Sequence, residues 1–127
     1  MNVLLDTHTV LWFAGNSPKL SQAAKAMIFN DGNQKFVSMA SAWEIAIKNS
    51  IGKFRLANGV NEFYKMVETN GFLMLPIERN HIARVEALPF FHRDPFDRLL
   101  VATALCEGLT ILTADEHIPL YGAPCVW

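Results

Sequence analysis

Charged residues are scarce in this sequence. Asp, Glu, Lys and Arg make up 18% of its 127 residues, against roughly 25% in ordinary proteins. Because 51% of the residues are hydrophobic, this deficit excludes intrinsic disorder, a polar linker and a long coiled coil. Neither sign of charge dominates: 11 Lys and Arg face 12 Asp and Glu, a net charge of −1. No whole-molecule field therefore steers the chain to nucleic acid or to an anionic membrane, and such a partner has to be met by a local patch. Cysteine is nearly absent. Cys106 and Cys125 make no disulfide framework, and Cys106, inside an apolar run, reads as a buried reduced thiol. No stretch approaches about 18 uninterrupted apolar residues, which excludes a membrane-spanning helix. The opening MNVLLDTHTVLW lacks the basic start and small-residue cleavage site of a secretory signal, so the expected compartment is the cytoplasm. His8, His81, His92 and His117 have no zinc-ligand spacing. There is also no Gly-rich phosphate loop and no nucleophile elbow.

What the sequence does contain is an alternation of short apolar runs with helical patterns. Strands are expected over residues 3–5, 35–38, 72–75 and 110–113, with a short fifth at the edge over 125–127. Helices are expected over 7–14, 21–29, 41–50, 61–69, 79–88 and 95–107, the fourth closed by Asn70-Gly71 and the last by Gly108. Strands separated by helices of this length imply βαβ units and a parallel sheet covered on both faces. The fold class is α/β: one domain over residues 1–127, a three-layer α/β/α sandwich with a central, mainly parallel sheet of four or five strands. The low charge further suggests that some apolar surface is covered by another chain.

In open parallel sheets, sites form outside the carboxyl ends of the strands, and the acids fall there. Asp6 follows the first strand and Asp115 follows TILT after one alanine. Asp97 lies in the first turn of the helix over 95–107, and Glu44 is one turn into the helix after KFVS. Each also has a plain structural role. Asp6 suits a helix cap. Asp94 before Pro95 suits an N-cap, which puts Asp97 where a carboxylate complements the helix dipole. Glu44 and Lys48 have the order of an exposed i,i+4 pair, and Asp115 can cap a turn leading to His117. Taken together, the acids say more. The helix beginning near Asp97 is apolar almost all round and therefore buried, which turns its first acid into a cleft. Glu44 is likewise embedded among Trp43, Ile45, Ala46 and Ile47. Carboxylates gathered in a partly enclosed site repel one another, and their pKa values rise. A divalent cation relieves that conflict; an all-oxygen set suits Mg²⁺ or Mn²⁺, and phosphodiester hydrolysis is the chemistry it serves best.

LLDTHTVLW, WEIAIK, HRDPFDRLLVATAL and LTAD, in this order, closely resemble the PIN domain, and within it the VapC-like toxins of bacterial type II toxin–antitoxin systems. The resemblance covers essentially the whole chain. It implies an acidic quartet of Asp6, Glu44, Asp97 and Asp115, with Asp6 and Asp97 the surest metal ligands. It also implies supporting hydroxyls at Thr7 and Thr113, and a DPFD variant in which Asp94 is mainly a helix cap. The implied activity is a Mg²⁺- or Mn²⁺-dependent endoribonuclease that hydrolyses RNA through metal-activated water. The implied partners are a small antitoxin and a second copy of the chain.

An acidic site does not attract RNA, so basic residues must hold the flanking phosphates. Lys48, Lys53 and Arg55 form one candidate strip, and Arg93 and Arg98 flank the DPFD turn. His8 and His117 fall near the site segments. Trp12, Phe13, Phe54, Phe63 and Tyr64 are assigned to the core, whereas Phe90-Phe91 after Pro89 suits partial exposure. Two other functions stay open at this point. One is a catalytically inactive PIN-like module that binds RNA or protein. The other is an aspartate-based phosphoryl-transfer enzyme, although the segment after Asp6 lacks the second aspartate such enzymes use.

Overall fold

The computed structural model describes residues 1–127. Its elements run β1 (Asn2–Leu5), α1 (Thr7–Ala14), α2 (Gln22–Phe29), β2 (Gln34–Ser38), α3 (Met39–Ser50), α4 (Val60–Thr69), β3 (Leu73–Leu75), α5 (Arg79–Ala87), α6 (Pro95–Glu107), β4 (Thr110–Leu112) and β5 (Cys125–Val126). A 3-10 turn over Ile118–Tyr121, unforeseen in the sequence, joins the last two strands. All five strands are parallel, in the order β3-β2-β1-β4-β5. No helix is long and apolar enough to cross a membrane.

Val3, Leu4 and Leu5 of β1 are fully buried, as the centre of a sheet covered on both faces requires. Alternation sends Val3 and Leu5 into one core with Val10, Ala24, Ile45, Phe63 and Val67. Leu4 enters the other with Leu100, Val101, Ala104 and Ile111. Helix α6 is buried continuously from Arg98 to Ala104, but Leu105 and Cys106 are only half-buried. Cys106 is thus a free thiol, as expected, though not a buried one.

The element boundaries explain how the acids are aimed. Helix α3 starts at Met39, two residues before the expected position, because the Ser38 hydroxyl accepts from Ala40 N at 2.9 Å and caps it. Strand β4 ends at Leu112, which leaves Thr113 at the sheet's carboxyl edge. With β1 central, the chain steps outward through β2 and β3, then crosses to β4 on β1's other side. The topological switch point lies between β1 and β4, where α/β folds form their clefts. Asp6 and Asp115 follow those two strands.

Candidate active site

Asp6 is both the N-cap of α1 and the floor of the cleft. Its Oδ1 accepts from Thr9 N at 2.9 Å, and its Oδ2 accepts from the Thr113 hydroxyl at 2.5 Å. Thr9 Oγ1 lies 2.7 Å from Asp6 Oδ1 and 2.9 Å from the Leu112 carbonyl; its single proton serves one of them at a time. Glu44 is buried on α3, where Thr7 donates to Oε1 at 2.6 Å and Lys48 pairs with Oε2. Ser41 Oγ stands 2.9 Å from the Thr7 hydroxyl. The Glu44–Lys48 pair thus points inward and is not the exposed helix pair its spacing suggested.

Asp94 caps α6, its Oδ1 accepting from Phe96 N and Asp97 N, both at 2.9 Å. Asp97 then stands in the first helical turn with its Oδ2 3.3 Å from His92 Nε2. The other His92 ring nitrogen is 2.8 Å from the Tyr121 hydroxyl, and the ring stacks on His117 at 5.1 Å. Asp115 accepts from His117 N at 2.7 Å, closing a turn after β4.

Five carboxylates, those of Asp6, Glu44, Asp94, Asp97 and Asp115, line one cleft of about 290 Å³. Thr7, His8, Trp12, Lys48 and Ala114 complete its wall. Their mutual repulsion is concentrated on Asp97. Burial pushes its carboxyl up to about 8, and the charges of Asp94, Asp115, Glu44 and Asp6 add to the rise. Burial also raises Asp6, against the opposing hydrogen bonds from Thr113 and Thr9. Cys125 is raised by burial and by the nearby Asp6 charge.

No group of three or more His, Cys, Asp or Glu side chains stands in a ready-made metal-holding arrangement. The hydrogen bonds give the reason: Asp6 is turned to two threonines, Glu44 to Thr7 and Lys48, Asp97 toward His92 and Asp115 to a backbone amide. The donor set nevertheless fits a hard cation, being all oxygen, negatively charged and short of positive charge. Lys48 supplies the single ammonium within the cleft.

The basic residues part company. Lys48 lines the cleft, while Lys53 and Arg55 are exposed on the loop after α3 and Arg93 is exposed before α6. Arg98 is not a surface cation. It is 4% exposed, and its Nη1 donates to the Pro89 carbonyl at 2.7 Å and the Tyr121 hydroxyl at 3.1 Å. Its Nη2 donates to the Val85 and Leu88 carbonyls, both at 3.3 Å, and Phe90 lies against its guanidinium at 4.1 Å. Arg98 ties the end of α5 to α6, with both terminal nitrogens engaged twice and the guanidinium buried away from any phosphate. Sequence reasoning missed Thr9, Ser41 and His92. His92 had a signal of its own, two residues before Asp94 in HRDPFD; Thr9 and Ser41 are tied to their partners by folding alone. Trp12 and Phe54, assigned to the core, are only half-buried, and Trp12 reaches the cleft.

Fold and site together define a parallel α/β domain with a carboxylate-lined cleft at its switch point. The PIN domain matches residues 3–123, and the chain belongs to that family. It is 30% identical over 127 residues to Ribonuclease VapC22 of Mycobacterium tuberculosis, covering 96% of this chain and 93% of that one. Among solved structures, VapBC2 from Rickettsia felis bound to a promoter DNA fragment aligns with a TM-score of 0.72 at 12% identity, over 100% of this chain and 98% of that one. DNA-bound VapBC from Salmonella typhimurium aligns with a TM-score of 0.69 at 14% identity, over 100% and 97%.

Proposed function

We propose that the chain is a metal-dependent endoribonuclease, the toxin of a type II toxin–antitoxin pair. The observation that carries the chemistry is the cleft of five carboxylates that holds Asp97 near 8. Buried carboxyls held above their usual range, with neighbouring charges adding to the rise on Asp97, support a cation as their counter-charge. Asp6 and Asp97, with Glu44 and Asp115, would hold Mg²⁺ or Mn²⁺, while Asp94 is engaged in capping α6. When bound, the cation would supply charge neutralisation at the scissile phosphate and a lowered pKa for the attacking water, so that it can act as the nucleophile once deprotonated. The chain's own residues do the positioning. Thr113 and Thr9 hold Asp6, His92 holds Asp97, and Thr7 holds Glu44. Lys48, released from Glu44, meets a phosphate next to the scissile one, with Lys53, Arg55 and Arg93 further out. The ribonuclease name of the Mycobacterium tuberculosis relative supports the RNA substrate, and the VapBC complexes among the structural relatives support a small antitoxin partner.

The test is cleavage of total RNA by the purified chain, with sites mapped by end sequencing. Cleavage is expected to stop in excess chelator and return with added Mg²⁺ or Mn²⁺. Asp6→Asn and Asp97→Asn are each expected to lower the rate by at least about 100-fold while both variants remain folded. Full activity in chelator, or in both variants, would remove the mechanism.

A further inference from the structure

Four aromatic rings form a run at the mouth of the acidic cleft. Ring centroids lie 6.1 Å apart for Phe54 and His8, 5.6 Å for His8 and Trp12, and 5.6 Å for Trp12 and Trp127. The core accounts for only one side of them. Trp12 and Phe54 pack against the core beneath α1 yet are half-buried, His8 is exposed, and Trp127 is 36% exposed. His8 and Trp12 are four residues apart on α1 and so share a face, and the Asp6 cap fixes the start of that helix. The loop after α3 folds back through Lys53 N and Phe54 N onto the Lys48 carbonyl, at 2.8 and 3.3 Å, and delivers Phe54 to His8. Trp127 arrives from the end of β5.

Lysine ammonium groups stand over one face of two of the rings. Lys19 Nζ is 5.8 Å from the Trp12 ring centroid, and Lys48 Nζ is 5.5 Å from that of Phe54. His8, Trp12 and Lys48 also line the cleft, so the run is continuous with it. The rings are tilted by 42° to 64° to one another, so each offers its own face. Separate rings with ammonium groups among them match single-stranded nucleic acid, whose individual bases stack while its phosphates pair with the cations. A paired helix hides its base faces and cannot use such a surface. A cleft of five carboxylates repels phosphate, so the strand has to be gripped next to it.

We infer that the run Phe54–His8–Trp12–Trp127 is a nucleobase platform, on which unpaired bases beside the scissile phosphate stack, with their phosphates against Lys19 and Lys48. The inference rests on the ribonuclease reading and assigns the residues on which the bases next to the cleaved bond would lie.

The experiment measures binding with the full chain carrying Asp6→Asn, so that the probe stays intact. The probes are a fluorescent single-stranded RNA of about eight nucleotides, a span within one single-strand site, an abasic ribose-phosphate oligomer of equal length, and a duplex of the same sequence. Trp12→Leu and Trp127→Ala are each expected to weaken single-strand binding by about 5- to 100-fold and to leave abasic-oligomer binding unchanged. Trp12→Phe should keep most of the affinity, and Lys19→Ala should flatten the salt dependence by about 0.7 in the log–log slope. Because Trp127 is 36% exposed and belongs to neither hydrophobic core, its variant tests the platform even where a Trp12 variant loses stability. Equal losses on the abasic oligomer overturn the platform. So do duplex binding as tight as single-strand binding, and tryptophan variants that bind RNA normally but lose affinity for a co-expressed antitoxin. The two readings fail separately. Tryptophan-dependent binding by a chain that cleaves no RNA sinks the ribonuclease reading alone; cleavage with unchanged KM in both tryptophan variants of the otherwise unaltered chain sinks the platform alone.

Discussion

Asp97 concentrates the physics of the site, and it makes the metal-free protein sensitive to pH in a defined direction. Its folded pKa of about 8 lies above the ordinary aspartate value of 3.8, so between about pH 4 and pH 8 the unfolded chain gives up a proton that the folded chain keeps. Unfolding is therefore favoured progressively as pH rises through that window, and the contribution that protonated Asp97 makes to stability at low pH is fully lost above about 8. Thermal melts in chelator should show this decline. Asp97→Asn should flatten most of it and raise the melting temperature at pH 8, leaving a residual slope from Asp6, which is shifted the same way. Cation binding at pH 7 should release about one proton, read as buffer-dependent heat in calorimetry. A slope of opposite sign, or no proton release, would contradict the assignment. Arg98 gives the opposite lesson. Its guanidinium answers three backbone carbonyls in a buried setting, and Arg98→Ala should cost about 2–4 kcal/mol by urea denaturation through the acceptors it orphans. Lysine cannot reproduce the fork and should rescue little. The positions of the acids could be read from the chain because each follows a strand or starts a helix. The burial of Arg98 could not, because its acceptors come from residues 85–89, on the far side of a loop, and from Tyr121.

Among the elements, α3 links stability to the site most directly. It contributes Ala40 to one core and Ala42 and Ile45 to the other, and carries Glu44 and Lys48 between them. Its first turn is set by Ser38 at the end of β2. Ser38→Ala should cost about 1 kcal/mol in denaturant unfolding. It should also lower cleavage more than an equally destabilising change on α2, because loosening the first turn displaces Glu44. Equal effects on rate from the two would deny α3 that role. The expected strand already ended at Ser38, but the expected helix began at residue 41; the cap went unread because the structure leaves no turn between them and starts α3 directly at Met39. Helix α6 was legible at both ends, from Asp94-Pro95 and from Gly108, which takes φ 67 as an αL stop.

At the scale of the molecule, a net charge of −1 is the average of an acidic cleft and basic residues spread around it. The apolar excess does not end in the core either. Phe29, Ile51, Ile82 and Leu120 are all more than half exposed, and Trp43, Ile77, Ile82, Val85 and Leu99 line a groove of about 360 Å³ between α3, α5 and α6. Surfaces of this kind are ordinarily covered in the functional assembly. Sedimentation should find a homodimer, and Ile82→Asp should shift it to monomer without lowering the melting temperature, since that side chain is 60% exposed. A parent chain that sediments as a monomer would refute this.

The sequence by itself determined the alternation of strands and helices, the parallel α/β class and the family. It also determined the placement of four acids at the ends of elements. These are local matters of periodicity, capping and order, readable wherever neighbours in the chain are neighbours in space. Only the tertiary structure decided what each acid faces. It turned the Glu44–Lys48 pair inward, set Thr113 and Thr9 on Asp6, and brought His92 to Asp97. It also withdrew Arg98 from the surface and assembled rings from α1, the loop after α3 and the end of β5 into one run. Burial and charge repulsion act across the sheet's switch point, between residues as far apart as Asp6 and Asp115, and only the closed fold makes them neighbours.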